Sequence, residues 1–361
     1  MAIHTKKIKT IVGRRTPGQL NNWERIDLNH YKSEKPIVIC LSGNGAITEK
    51  SANGFCKRAE ILLELLFKNS YPQGTCIADL VDIVGCSYSY KANVKIPNMT
   101  ETEKKDFFHK YPTMEAYLKD YPNNITKDDT GFIEETVIDD IINNILLPLC
   151  VNENNEKLPV KTACKKLSRV TFFTWCHGAM EVYKILSKLL KKCSELDYEL
   201  CDIVKMFSSI MHITYAPITK ANLSPTISID SLSDYNNIHY SEQYPDINGV
   251  EIMYEYPDEV VKRFFDNIHI FSSKLTNTSE KDINEHSVEF LDRDEEWNIK
   301  GGYVNADCVS QLMSWALCRA VENGLENFKS DKFVPKMSLL RVHEELCSIR
   351  DGFKSEELKR E

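Results

Sequence analysis

Val170-Thr-Phe-Phe-Thr-Trp-Cys-His-Gly-Ala-Met-Glu-Val-Tyr-Lys-Ile-Leu-Ser-Lys-Leu-Leu190 is the stretch that decides the fold. Its first six residues, Val170 to Trp175, are β-branched or aromatic and read as a buried strand. Cys176-His177-Gly178 turns the chain. From Ala179 to Leu190 the apolar residues Val182, Ile185, Leu186 and Leu189 recur at helical spacing, so an amphipathic helix follows the strand at once. A second helix, about Leu196 to Ser209, leads to another strand, His212 to Ala216, which Pro217 stops.

Working outward from this unit, the same alternation recurs. Pro36 to Leu41 is a short apolar run ended by Ser42-Gly43-Asn44-Gly45, and Ser51 to Phe67 has helical periodicity. Ile77 to Val84 reads as a strand and Ile133 to Leu149 as a helix. Further along, Val250 to Tyr256 and Ile268 to Ser273 are strand candidates flanking a helix near Glu259 to Phe265. Val304 to Asn323 and Pro335 to Ile349 are helices. Strands alternating with helices predict an α/β fold of three layers, α/β/α, around a mostly parallel sheet. No repeat of 20–50 residues is visible. The expected organisation is an N-terminal arm over 1–35, one domain over 36–330 with polar insertions near 87–130 and 222–248, and a C-terminal helix and tail over 331–361.

The chain has 361 residues, 42% of them apolar and 27% charged, which are globular proportions. Its 45 Lys and Arg against 53 Asp and Glu give a net charge of −8. That excludes a general nucleic-acid binder of the basic kind. The basic residues Lys6, Lys7, Lys9, Arg14 and Arg15 precede no apolar h-region, so they read as a solvated terminus and not a secretory signal. No run reaches the roughly 20 apolar residues of a membrane span. The twelve cysteines include no C-x-x-C pair, and most lie in apolar surroundings as small buried hydrophobes. Many unpaired thiols fit a reducing compartment, and a cytoplasmic location is expected, with signal-independent export as the alternative.

The chemistry concentrates at Thr174-Trp175-Cys176-His177-Gly178. A tight strand-to-helix turn forces its apex side chain out of the sheet, and the N–H groups at the helix start can face a developing oxyanion. An apex thiol beside a helix N-terminus is expected to be exposed, partly ionised and faster to alkylate than the other eleven. This pentapeptide resembles the nucleophile elbow, G-x-S-x-G, of the α/β-hydrolase superfamily. Gly178 matches the last glycine, Thr174 stands at the first, and Cys176 replaces the serine. The resemblance implies an α/β-hydrolase-like fold and an acyl or ester hydrolase of esterase, lipase or thioesterase type. Cys176 would be its nucleophile, and the N–H groups of His177 and of Asn44 or Gly45 its oxyanion hole. It implies an acid and a histidine later in the chain. Asp282 and His286 are the candidates, with Asp258 as the competing acid. Lys300, in Trp297 to Tyr303, stands where the family places its histidine. His212 and His269 open strands and read as structural.

The alternative to catalysis is a hydrolase-like scaffold that binds a partner, which the cysteine, Thr174 and Lys300 favour. A caspase-like peptidase, suggested by His177-Gly178, lacks a strand ending in Ala-Cys, since Ala306-Asp307-Cys308 opens a helix. Gly43-x-Gly45 has no third glycine for a dinucleotide loop. Asp292, Asp294, Glu295 and Glu296 lack the partners of a metal site and read as a solvated acidic turn. No cofactor or metal is expected. The implied substrate is a small acyl or lipid-like compound.

Overall fold

The computed structural model describes residues 11–15, 23–26, 35–43, 49–70, 80–87, 132–217, 222–231, 267–272, 291 and 306–357. They form one eight-stranded sheet with helices on both faces. The strands are β1 (Ile11–Arg15), β2 (Trp23–Arg25), β3 (Ile37–Leu41), β4 (Asp82–Ser87), β5 (Val170–Trp175), β6 (Met211–Tyr215), β7 (Thr226–Ser231) and β8 (Asn267–Ser272). Their order across the sheet is β2-β1-β4-β3-β5-β6-β7-β8. From β4 to β8 every pairing is parallel, while β1 is antiparallel to both β4 and β2. The sheet is therefore mostly parallel, as the alternation predicts.

The helices are α1 (Glu49–Ser70), α2 (Phe132–Ile141), α3 (Val160–Leu167), α4 (Gly178–Glu195), α5 (Leu200–Phe207), α6 (Ala306–Lys329) and α7 (Leu339–Glu357). After α2 the chain widens into a π-helical turn, Ile142–Leu146, and ends in a 3₁₀ turn, Leu147–Leu149. The expected helix to Leu149 thus changes pitch at Ile142.

Side-chain alternation splits the core into two layers. Ile37, Ile39, Leu41, Val170 and Phe172 face α2, α4 and α5 with Leu186, Leu189, Ile203 and Phe207. Val38, Cys40, Phe173, Ile213 and Ile229 face α1 and α6 with Leu62, Leu312 and Leu317. The Phe55 and Phe173 rings stack with centroids 4.9 Å apart. Strands β3 and β6 are buried along their whole length, and in β3 this shows in the sequence as a continuous apolar run.

Four local expectations change. Residues 11–15 and 23–25 are strands within the sheet rather than solvated arm. Residues 226–231, read as polar and turn-rich, form β7. The strand expected from Ile77 starts instead at Asp82, and α3 was not foreseen. The expected strand Val250 to Tyr256, the helix near Glu259 to Phe265 and the polar segment 88–130 lie outside the described residues.

Candidate functional site

The strand β5, the turn and the helix α4 follow one another as the sequence predicts. Cys176 stands alone between them with φ +54°. A non-glycine residue in the left-handed region carries a strain of about 1–3 kcal/mol and persists only where its surroundings fix it. Three contacts do so here. The Cys176 N–H donates to Tyr215 O at 3.1 Å, extending the β5–β6 ladder one residue past the strand. The Ala179 N–H donates to Cys176 O at 3.3 Å, and the Met180 and Glu181 N–H groups both donate to His177 O. Those bonds start the helix ladder and leave the N–H groups of residues 177 and 178 ahead of it, at the positive end of an 18-residue helix.

The third contact is steric. A Cβ placed on Gly178 would lie 2.1 Å from Leu41 O, so only glycine lets the first turn of α4 sit against the end of β3. On the other side, a Cβ on Gly43 would lie 2.9 Å from Cys176 Cβ and 2.8 Å from the Trp175 ring. The loop leaving β3 therefore passes directly over the elbow. Its next residues, Asn44 and Gly45, lie outside the described residues, as do His286, Asp282, Asp258 and Lys300. The structure brings together Cys176, His177, Gly178 and the β3 loop as far as Gly43.

Cys176 is only 8% exposed. Among the described thiols Cys201 is exposed and Cys347 half-buried, so the expectation of an exposed apex thiol is not met. The thiol belongs to the core cluster on the α4 face, and the β3 loop at Gly43 passes close over it. A left-handed residue also ends the next strand: Ala216 has φ +47°, and its N–H donates to Ile229 O. Two neighbouring parallel strands thus end in the same strained conformation at the same level.

Thr174, at the position of the family's first glycine, is fully buried, and its hydroxyl lies 2.8 Å from His212 Nε2. Thr226 Oγ1 lies 3.4 Å from His212 Nδ1 and donates its own hydrogen to Ser224 O. His212 Nδ1–H therefore donates to Thr226, and the bare Nε2 accepts from Thr174. Burial pushes the His212 pKa down to about 3, in keeping with a neutral ring that spans three strands. The expected structural role of His212 fits these bonds.

His177 is also buried, with Nε2 3.0 Å from Glu181 Oε1. Lys184 Nζ lies 3.2 Å from the same oxygen. Burial first, and the Lys184 ammonium second, push the His177 pKa well below its ordinary value. The ring is therefore a neutral donor to the carboxylate, and the ion pair in the trio is Glu181 with Lys184. The expected contribution of His177 was its backbone N–H; the role of its side chain in this buried trio was not foreseen.

Asp230 was also missed. It is fully buried on β7, and its strand neighbours Ile227 and Ile229 face the opposite layer. The pairings Trp175↔Tyr215 and Tyr215↔Ile229 set it level with Cys176 on the α4 face. At about 4.8 Å per strand it stands two strands, or roughly 10 Å, from the elbow. The alternation of Thr226-Ile-Ser-Ile-Asp230 was the available signal for it.

Among the described residues no group of three or more His, Cys, Asp or Glu is placed to hold a metal ion. No helix among them is long and apolar enough to cross a membrane. No family model matches the chain, and no curated protein matches it. Among solved structures it is similar to dienelactone hydrolase from Anabaena variabilis ATCC 29413, at 10% identity and a TM-score of 0.31, over 78% of this chain and 85% of that one.

Proposed function

We propose that this protein is an acyl or ester hydrolase of the esterase, lipase or thioesterase type, with Cys176 as its nucleophile. The observation that carries the reading is Cys176 held at φ +54° between a buried parallel strand and the N-terminus of α4. A strained apex of this kind clusters at functional sites, and here it carries a thiol at a helix N-terminus, whereas Ala216 at the end of the next strand carries no reactive group. The substrate would be a small acyl or lipid-like compound.

The thiolate of Cys176 attacks the substrate carbonyl carbon. The oxyanion is received by the N–H of His177 and by that of Asn44 or Gly45, which the path of the loop at Gly43 favours. His286 takes the thiol proton and returns it to the leaving group, so a thioester on Cys176 replaces the ester. Water activated by the same imidazole then releases the acid. Asp282 or Asp258 orients His286 in the reading from sequence. Asp230 is a further candidate for that role, supported by its burial at the level of the elbow.

The second reading is a hydrolase-like scaffold without catalysis, acting as a binding or effector protein. It is favoured by the small exposure of Cys176 and by the engagement of His212, the imidazole bonded to Thr174, with two threonines.

Labelling with thiol- and serine-reactive acyl probes, followed by peptide mapping, separates the two. The hydrolase reading expects acylation at Cys176, turnover of p-nitrophenyl acetate, and loss of both in Cys176→Ala and His286→Ala. Wild-type protein that neither labels at Cys176 nor turns over any activated ester would leave only the binding reading.

A further inference from the structure

We propose that Glu181 is a positioning residue for the elbow: by taking the His177 Nε2–H it ties the residue after Cys176 to the first turn of α4 and keeps thiol and backbone N–H in register. The proposal rests on Cys176 being the nucleophile. His177 occupies the N-cap position of α4, yet its side chain makes no capping bond to a backbone N–H. The ring reaches forward one turn instead, to Glu181 Oε1 at 3.0 Å. The three contacts that hold Cys176 act on the backbone of residues 176, 178 and 179 and on the 177 carbonyl. The Glu181 bond acts instead on the side chain of residue 177, whose N–H is the one offered to the oxyanion.

The placement of the trio argues for a use beyond packing. His177 and Glu181 are each only 2% exposed, and the Lys184 side chain only 10%. A buried ion pair is weak evidence for stability, because desolvation offsets most of its attraction. Replacing such a pair by apolar residues of similar volume is often neutral or stabilising. What apolar residues cannot supply is an acceptor for the imidazole Nε2–H that now bonds Glu181. The carboxylate answers that need, and Lys184 balances its charge.

The experiment uses the full chain and three variants: Glu181→Gln, Glu181→Leu, and the double variant Glu181→Leu/Lys184→Leu, which removes the ammonium together with the carboxylate if the single leucine variant fails to fold. Iodoacetamide alkylation of Cys176 is measured relative to exposed Cys201 in the same molecule by peptide mass spectrometry. The kcat and KM for p-nitrophenyl acetate are measured in parallel. The leucine variants should lower the Cys176-to-Cys201 ratio and kcat together by about tenfold or more, with KM nearly unchanged. Glu181→Gln keeps an amide oxygen for the His177 N–H and should stay within about threefold of wild type. A merely structural role would lower the melting temperature without this split or rescue. Wild-type ratios in the leucine variants overturn the proposal, and so does an equal loss in Glu181→Gln. Absence of ester turnover with a reactive wild-type Cys176 sinks the hydrolase reading but leaves the alkylation test intact. A wild-type Cys176 as inert as buried Cys193 overturns both.

Discussion

At the scale of single residues, the α4 face of the sheet carries side chains that a parallel sheet does not ordinarily bury. Thr174, His212, Thr226, Ser228 and Asp230 lie side by side on β5, β6 and β7, none more than 3% exposed. His212 is the one whose titration can be followed. The folded state keeps it neutral down to a pKa of about 3, whereas in the unfolded chain it takes up a proton near 6.5. Below pH 6.5 the unfolded state therefore binds the extra proton, and folding stability falls as pH falls towards 3, by about 1.4 kcal/mol per unit. In His212→Gln the amide keeps a donor for Thr226 and an acceptor for Thr174 but has no charge to gain. Between pH 7 and pH 5 wild type should lose about 2 kcal/mol more than the variant, measured by denaturant unfolding at both pH values. Parallel losses would mean that His212 is protonated in the folded protein.

At the scale of elements, the decisive unit is β5 with α4, and it was legible because each half has a period of its own. Val170 to Trp175 consists wholly of β-branched and aromatic residues, and α4 shows a helical stripe. Strand β7 was legible only in part: Thr226-Ile-Ser-Ile-Asp-Ser alternates as a half-buried strand does, but it lies in a polar, turn-rich stretch and reads as though one side met water. That side in fact meets the interior, where hydroxyls and a carboxylate replace the usual aliphatic residues. The π-helical turn at Ile142 lies beyond sequence reading for another reason: Asn143 and Asn144 interrupt the stripe without saying how the backbone answers. Gly178 was legible as a member of the elbow, but its reason is visible only in three dimensions. Alanine is ordinarily better than glycine in a helix by about 1 kcal/mol. Here its Cβ would meet Leu41 O at 2.1 Å, a backbone atom in the middle of a buried sheet. Gly178→Ala should therefore destabilise the protein, by about 2–3 kcal/mol or more, with α4 pushed away from β3. Thermal unfolding reads the sign directly, and an unchanged or raised melting temperature would mean that α4 does not seat on β3 in this way.

At the scale of the whole molecule, six parallel strands have two edges, and the N-terminal hairpin covers one of them. Strand β1 pairs along the whole of β4, from Ile11↔Ser87 to Arg15↔Ile83, and β2 covers β1 in turn. Arg14 lies 3.8 Å from both Glu24 and the buried Asp82, linking the three strands. At 3.8 Å, with Arg14 half-buried and Glu24 exposed, those pairs are too loose to hold the hairpin by themselves. Its backbone ladder and the burial of β4 do more, since Ile83, Val84 and Cys86 are each 0% exposed. Removing residues 1–26 would leave β4 as an open edge of Asp82-Ile-Val-Gly-Cys-Ser87 with one carboxylate to guard it, a template for a second chain. Residues 1–26 carry six Lys and Arg against Glu24, so their removal takes the net charge from −8 to −13, and this charge opposes association over about 10 Å at 0.1 M salt and only about 3 Å at 1 M. The truncated chain should therefore associate more strongly as salt rises, while the full chain stays monodisperse. Size-exclusion chromatography with light scattering at low and high salt measures both. A truncated chain that stays monodisperse at high salt, with the melting temperature of the full chain, would show that the hairpin decorates the sheet without closing its edge.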